Sequence, residues 1–299
     1  YIVNGTGRLT MSYLHMLRQQ HPRATVVVVE KEISAAKQRE LTQAFNVRVI
    51  SGNLASAYLI RQLRAKRAKR IALLAVDDYH CYEAASQILR LYPDLGDRIL
   101  LHCSNLRFMR AMEDTSIARQ CTTFNSYQLA SETLVRDELL KHFQRTTKLD
   151  DVVLGGFGRL GQTLLEELSQ RADGELAAVA LIDTDADRRV MVADEQQRSK
   201  ATQRRIVLQG DVGHPNVWQR LNDEMDLSKG EPVLVLGTGA APNNMRTGLW
   251  LKKQYPNALV YVRTEYNSLF AREVAEDHGI VPFSIIEAVE QGMPESWLR

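Results

Sequence analysis

Short runs of apolar residues alternate along the chain with longer segments whose apolar positions recur at helical spacing. The runs are rich in valine, isoleucine and leucine, as in strands that are buried on both faces of a sheet. Strands that alternate with amphipathic helices are typical of a parallel sheet covered by helices. The predicted strands are 1–3, 25–29, 47–50, 70–76 and 98–102 in the first half, and 152–154, 179–182, 205–208, 232–236 and 258–263 in the second.

The same order of elements occurs twice. Residues 1–10 (YIVNGTGRLT) resemble residues 152–161 (VVLGGFGRLG) and share the turn Gly-x-Gly-Arg-Leu at an offset of 151 positions. Each copy ends with a short strand or extended crossover, at 116–124 and 279–283, and then a helix beyond the sheet, at 126–144 and 284–290.

This repeat predicts an α/β fold of two tandem Rossmann-like, doubly wound parallel-sheet domains, each with an added crossover helix. We place the first domain at 1–144, a polar hinge at 145–151 and the second domain at 152–299.

The second copy contains the full dinucleotide fingerprint. Gly156, Gly158 and Gly161 follow its first strand, and Asp183 ends the next strand 22 residues after the last glycine. Glycines let the backbone approach a pyrophosphate, the helix N-terminus offers free N–H groups, and the carboxylate accepts from a ribose hydroxyl. A tight turn without a ligand is the alternative, but the acidic residue in register favours a nucleotide site.

The first copy contains a weaker version of the same fingerprint. Gly5 and Gly7 are present and Glu30 ends the second strand, but Thr10 replaces the third glycine. An acidic residue at the end of that strand repels a 2′-phosphate, so we expect NAD(H) or an adenine nucleotide rather than NADP(H). Lys31, beside Glu30, weakens this argument in the first copy.

The composition is that of an ordinary globular protein, with 44% hydrophobic and 25% charged residues. A net charge of +2 gives no reason to expect a nucleic acid partner. The three cysteines lack metal-ligand spacing and indicate reduced thiols, and no metal ligand is predicted. The chain opens inside a predicted strand without an initiator methionine, so we expect it to be a fragment of a longer protein.

Taken together, these motifs resemble the RCK (KTN, TrkA-N) domain family. The resemblance rests on the tandem Gly-x-Gly-Arg turns, the acidic residue after the second strand, and the pairs Gly52-Asn53 and Gly210-Asp211 after the third. Asp77 and Asp78 resemble the family's acidic turn after the fourth strand, and Arg263 resembles its arginine after the fifth.

The chain also departs from the family pattern. Besides Thr10, His102 stands where the family often has an arginine after the fifth strand of the first copy, and Cys81 stands where it usually has an asparagine. In the second copy Gly237-Thr238-Gly239 replaces the acidic turn. We therefore expect the two sites to be unequal.

The fingerprints and the resemblance together predict two sets of cofactor-binding residues. An ordinary turn or a solvent-facing arginine is the alternative for several of them, such as Asn53, Asp211, Arg8 and Arg159. The predicted residues are Gly5, Thr6, Gly7, Arg8, Leu9, Glu30, Lys31, Gly52, Asn53 and Asp77 in the first copy, and Gly156, Phe157, Gly158, Arg159, Leu160, Gly161, Asp183, Thr184, Gly210, Asp211, Gly237, Thr238, Gly239 and Arg263 in the second.

The resemblance implies a cytoplasmic, non-enzymatic module that binds NAD(H) or an adenine nucleotide (AMP, ADP or ATP), one per domain with unequal affinity. The implied partner is the membrane subunit of a potassium channel or transporter, for which chain preceding Tyr1 is one candidate. It further implies a homo-oligomer at the inner face of the cell membrane, in which four chains would form a ring of eight domains.

Two other functions stay open at this point. An NAD-dependent oxidoreductase with a duplicated fold would need a proton donor and a substrate domain, and no tyrosine is followed four residues later by lysine. A nucleotide-free scaffold or dimerisation module is the other alternative, and Thr10 and Cys81 favour it for the first copy.

Overall fold

The computed structural model describes residues 1–195, 203–266 and 268–299. Packing groups these residues into two compact units, one of Tyr1–Ser126 with Gly292–Arg299 and one of Tyr127–Gln291. Each unit contains a six-stranded parallel sheet flanked by helices, which confirms the predicted pair of Rossmann-like α/β domains. Across the described residues, no helix combines the length and apolar character needed to span a membrane.

In the first unit the strands lie in the order β3-β2-β1-β4-β5-β6. This doubly wound order brings the carboxyl ends of all strands to one edge and leaves a crevice between β1 and β4, where such sheets bind ligands. The strands are β1 (Ile2–Asn4), β2 (Val27–Glu30), β3 (Arg48–Ser51), β4 (Ile71–Leu73), β5 (Ile99–His102) and β6 (Thr122–Phe124).

Helices cover both faces of this sheet, and the strand residues between them are mostly buried, as the continuous apolar pattern predicts. All three residues of β1 are buried, and the amide Nδ2 of Asn4 donates to the carbonyl of Val29 at 3.0 Å. The helices are α1 (Arg8–Gln20), α2 (Ala35–Phe45), α3 (Ala57–Gln62), α4 (Asp78–Leu91), α5 (Leu106–Met112) and α6 (Ser116–Gln120).

The second unit repeats the order, with strands arranged β9-β8-β7-β10-β11-β12. Its core includes the fully buried Trp218, whose indole Nε1 donates to the carbonyl of Val212 at 2.8 Å. The strands are β7 (Asp150–Gly155), β8 (Leu176–Asp183), β9 (Arg204–Gln209), β10 (Val233–Leu236), β11 (Leu259–Thr264) and β12 (Val281–Ser284).

A helical stretch precedes this sheet in the chain. It is continuous, because a π-helical turn at Val135–Leu139 joins its two α-helical parts. The parts are α7 (Ser126–Leu134) and α8 (Leu140–Phe143). The remaining helices are α9 (Arg159–Arg171), α10 (Ala186–Asp194), α11 (Pro215–Glu224), α12 (Ala241–Gln254), α13 (Leu269–His278) and α14 (Ile285–Gly292).

One predicted element differs in the structure. The segment 116–124 was predicted as a strand or extended crossover, but only its end, β6, is extended, and Ser116–Gln120 form α6. The hydroxyl of Thr115 accepts from the N–H of Ala118 at 3.3 Å and caps this helix, a local signal that the apolar pattern does not contain.

Packing and sequence repeat divide the chain at different places. Residues 127–143 are part of the first sequence copy but belong to the second packed unit, whereas residues 292–299 are part of the second copy but belong to the first unit. There the phenol of Tyr1 donates to the carbonyl of Leu298 at 3.0 Å, and Arg70 donates to the carbonyls of Ser296 and Arg299. The boundaries 1–144 and 152–299 describe the duplicated sequence and stay a prediction.

Candidate nucleotide cradles

The glycine turn of the second unit approaches the neighbouring strand too closely for a side chain. Gly156 has φ +94°, and a Cβ there would lie 2.9 Å from the backbone nitrogen of Thr238. Gly158 caps the N-terminus of α9, so that the free N–H groups of the first helical turn point out of the sheet edge. The turn has the backbone form that a pyrophosphate needs.

The third glycine, Gly161, is required for close packing of α9 against the turn. A Cβ on Gly161 would lie 2.5 Å from the carbonyl oxygen of Gly156, so glycine is required for α9 to start this close to the turn. The Phe157 and Leu160 side chains are buried in the core. That Phe157, Leu160 and Gly161 contact a cofactor stays a prediction; the Phe157 N–H, which belongs to the turn, donates to the Asp183 carboxylate.

The carboxylate of Asp183 organises this turn. It accepts from the N–H of Phe157 at 2.7 Å and from the N–H of Asp185 at 3.0 Å. The guanidinium of Arg189, on α10, forms an ion pair with the same carboxylate at 3.0 Å. Because a carboxylate has about four acceptor positions, Asp183 can still accept from a ribose hydroxyl.

These elements enclose a cleft of about 710 Å³ at the carboxyl edge of the sheet. The sheet topology brings together the rest of the predicted second set, since the ends of β7, β8, β9, β10 and β11 meet there. The lining residues are Tyr127, Gly156, Gly158, Arg159, Asp183, Thr184, Arg189, Gly210, Asp211, Val212, Gly237, Thr238, Gly239, Ala240, Asn243 and Arg263.

Among these, the sequence prediction missed Tyr127, Arg189, Val212, Ala240 and Asn243. Arg189 stands six residues after Asp183, at the end of the first turn of α10, and this spacing was a signal available in the sequence. Tyr127 has no such signal, because it lies 29 residues before Gly156 and reaches the cleft only through the packing of α7.

The electrostatics of the cleft favour an anion. The N-termini of α9 and α12 both face it, and neither helix has an acidic residue in its first turn. Three guanidinium groups line it, those of Arg159, Arg189 and Arg263. The carboxylate of Asp211 accepts from the N–H of Gly213 at 2.8 Å, so it is engaged in its own turn.

A buried asparagine fixes the far wall of the cleft. Asn244, on α12, is 1% exposed, and its amide donates to the carbonyls of Thr238 and Arg263, each at 3.0 Å. The hydroxyl of Thr238 also bonds to the Asn244 side-chain oxygen. A neutral side chain therefore connects the end of β10 to the end of β11.

The first unit has a similar turn with different chemistry. Gly5 has φ +109°, and a Cβ there would lie 2.8 Å from the backbone nitrogen of Ala75. The half-buried carboxylate of Glu30 accepts from the hydroxyl of Thr6 at 3.1 Å and from the N–H of Lys31 at 3.0 Å. Gly7 caps α1, as Gly158 caps α9.

The other residues of the predicted first set lie along the same sheet edge. The N–H of Gly52 donates to the carbonyl of Glu30 at 2.8 Å, and Asn53 accepts from the N–H of Ala55 at 2.7 Å. Arg8 begins α1 and Lys31 is exposed. The Leu9 side chain is buried in the core, and its cofactor contact stays a prediction.

We call the glycine turn and the neighbouring strand ends of each unit its nucleotide cradle. The residues that follow β4 make the first cradle more acidic than the second. Asp77 caps α4 by accepting from the N–H of His80 at 3.1 Å. Asp78 accepts from the N–H and hydroxyl of Ser104 and from the N–H of Asn105. Two carboxylates thus occupy the N-terminus of α4, where the second unit has an uncharged turn.

The third-glycine position also differs. Thr10 is fully buried, and its hydroxyl has no hydrogen-bond partner among the residues that the structure describes. A side chain is thus accommodated there, whereas in the second unit the Gly161 position is closed by the Gly156 carbonyl. The two turns are not equivalent in packing or in charge.

The cysteines do not provide a nucleophile. Burial raises the pKa of the Cys81, Cys103 and Cys121 thiols to about 12. These thiols are protonated at neutral pH, and the thiolate is the reactive form. Within the described ranges, no group of three histidine, cysteine or acidic side chains is arranged to hold a metal ion.

Comparison with known proteins gives a family match for the first unit and a fold match for the whole chain. Residues 1–120 match the model of the TrkA-N domain, which confirms the predicted resemblance there. No curated protein sequence matches the chain.

Three solved structures of GsuK align with nearly the whole chain. GsuK bound to ADP has a TM-score of 0.65 at 14% identity, with 97% of this chain and 66% of that chain covered. The GsuK channel bound to NAD has a TM-score of 0.63 at 12% identity, covering 99% and 64%. The GsuK RCK domain has a TM-score of 0.61 at 12% identity, covering 97% and 74%. At these identities the likeness is one of fold.

Proposed function

We propose that this chain, whose residues 1–120 match the TrkA-N domain model, is the nucleotide-sensing regulatory module of a potassium channel or potassium transporter. NAD(H) or an adenine nucleotide binds at the carboxyl edge of the sheets and shifts the conformation of the module. The membrane partner responds to that shift. In this proposal the module carries out no chemical step on its ligand.

The single observation that carries the proposal is the cleft of the second unit, whose lining favours the binding of phosphate groups. Its volume of about 710 Å³ suits a nucleotide, and it combines a glycine turn with two helix N-termini and three guanidinium groups. The GsuK structures described as bound to ADP and to NAD support the same class of ligand.

The ribose end of the cleft favours a ligand with a free 2′-hydroxyl. The Asp183 carboxylate accepts from two backbone N–H groups and pairs with Arg189, and the acceptor capacity that these contacts leave suits a hydroxyl donor. A 2′-phosphate would meet that carboxylate at close range and be repelled. NAD(H), AMP, ADP and ATP meet this condition, and NADP(H) does not.

We expect the two cradles to bind with unequal affinity. The first carries Asp77 and Asp78 at the N-terminus of α4, and negative charge there opposes a phosphate. The second has Gly237-Thr238-Gly239 in that place, supported by the neutral Asn244. The second cradle is therefore the tighter site in this proposal.

A chain of hydrogen bonds offers a route by which an occupied cleft would act on the rest of the module. Thr163, on the helix that starts at the phosphate turn, is 2% exposed, and its hydroxyl bonds to that of Ser131, on α7, at 2.7 Å. The same hydroxyl lies 3.3 Å from the carbonyl of Tyr127. A ligand that binds one position of α9 more tightly would shift the population of α7 positions.

The remaining parts of the proposal concern assembly. The membrane partner is a potassium channel or transporter subunit, either separate or encoded ahead of Tyr1. We expect a homo-oligomer at the inner face of the membrane, with four chains forming a ring of eight domains. The structure described as the GsuK channel supports a channel partner by fold likeness, and this chain spans 66% of the ADP-bound GsuK chain.

A calorimetric titration with NADH, NAD, AMP, ADP, ATP and NADPH tests the proposal. We expect binding of ADP and NAD(H), with NADPH at least tenfold weaker, a difference of about 1.4 kcal/mol. No binding of any of these ligands would contradict the sensor and favour the scaffold. Turnover of NADH with added carbonyl compounds would instead favour the oxidoreductase.

A further inference from the structure

Tyr127 lies against two cationic side chains in the second cleft. The centre of its ring is 5.5 Å from the Cζ atom of Arg159 and 6.0 Å from that of Arg263. The two arginines come from separate elements, since Arg159 begins α9 and Arg263 lies in β11. The tyrosine comes from a third element, α7, and all three residues line the cleft.

This arrangement is electrostatically specific. Two guanidinium groups near one another repel, and the negative face of an aromatic ring attracts cations within about 6 Å of its centre. Arg263 is also held by the carbonyl of Gly237, to which its Nη1 donates at 3.3 Å. The ring of Tyr127 therefore gives both guanidinium groups a favourable contact within the cleft.

Hydrogen bonds fix the position of the Tyr127 backbone, from which the ring extends into the cleft. The backbone carbonyl of Tyr127 lies 3.3 Å from the Thr163 hydroxyl, which is bonded in turn to Ser131 one helical turn further along α7. Because Thr163 is on the same helix as Arg159, the tyrosine and the first arginine keep a constant register.

We propose that Tyr127 is a positioning residue that sets selectivity for ligands with two or more phosphates. It holds Arg159 and Arg263 together as a paired cation, so that adjacent phosphates meet two ordered guanidinium groups at once. A monophosphate uses only one of them, and a nucleoside uses neither. The inference rests on the proposed nucleotide function and names the part of the ligand that the cleft discriminates.

Calorimetric titration of the chain with ADP, AMP and adenosine tests the role of the ring. For Tyr127→Leu we expect the dissociation constant for ADP to rise about tenfold, that for AMP about threefold or less, and that for adenosine to stay unchanged. Tyr127→Phe keeps the aromatic face and should retain the wild-type order of affinities. Tyr58→Leu, at a tyrosine 72% exposed in the first unit, is the matched control and should change none of the three.

Two results would overturn the inference while leaving the proposed function in place. One is an equal loss of affinity for all three ligands in Tyr127→Leu, which would indicate a general structural role. The other is an unchanged preference for ADP over AMP in that variant. Failure of the wild-type chain to bind ADP, AMP or NADH would instead overturn the proposed function, and this inference with it.

Discussion

Gly161 is the residue at which the second cradle tolerates least change. An added Cβ would meet the carbonyl oxygen of Gly156 at 2.5 Å, and a backbone atom cannot move aside as a flexible side chain can. We expect Gly161→Ala to lower the free energy of unfolding by about 1–2 kcal/mol, because overpacking outweighs the helix propensity of alanine. Chemical denaturation measures this change.

Gly239→Ala is the control for that variant. Gly239 lies in the same cleft, has no atom within 4 Å of an added Cβ and does not need a positive φ. It should leave the free energy of unfolding within about 0.5 kcal/mol of the wild type. Equal stability of the two variants would mean that α9 has room to move away from the turn.

At this scale the sequence predicted the residues whose roles depend on local spacing. Gly156, Gly158 and Asp183 follow from the strand, turn and helix pattern around them, and they do line the cleft. The sequence did not predict Asn244, because its function depends on carbonyl groups of Thr238 and Arg263, which β10 and β11 bring to it. The side-chain directions of Phe157, Leu160 and Leu9 were likewise invisible without the packed core.

The hydrogen bond between Thr163 on α9 and Ser131 on α7 leads to a prediction about how the two helices are coupled. Thr163→Val keeps the shape of the side chain but removes the hydroxyl that bonds to Ser131, and Ser131→Ala removes the partner that would remain buried and unpaired. In the double variant we expect ADP to bind within about threefold of the wild-type affinity, which is under 1 kcal/mol. Binding should no longer slow amide hydrogen exchange in α7.

Ser169→Ala is the matched control for this pair. Ser169 is a buried hydroxyl residue on the same helix, and its hydroxyl donates to the carbonyl of Leu165, within α9. Its variant should retain the ligand-dependent protection of α7. If the double variant retained it as well, the hydrogen-bonded route through Thr163 would be excluded.

The elements themselves were largely predictable because the strands are buried on both faces and read as continuous apolar runs. The segment 116–124 was an exception, since a helix as short as α6 has too few residues for a periodic pattern. Its cap at Thr115 determines its start.

Over the whole molecule, the duplicated sequence predicted two sheets with one topology, and the structure has them. It did not predict that residues 127–143 pack with the second unit. A sequence repeat shows where the duplicated segments begin and end, but it does not show which sheet a helix packs against. That packing brings Tyr127 into a cleft whose other walls come from residues 156–263. In the proposed function, a nucleotide bound in the second cleft therefore changes the position or stability of α7.

Amide hydrogen exchange of the wild-type chain with and without saturating ADP tests that dependence directly, since it reports local opening along the backbone. We predict slower exchange in the turn from Gly156 to Arg159 and in α7 (Ser126–Leu134), with a smaller effect or none in the turn from Gly5 to Arg8. Protection confined to the turn from Gly5 to Arg8 would contradict this prediction. Protection of the turn from Gly156 to Arg159 with unchanged exchange in α7 would contradict it as well.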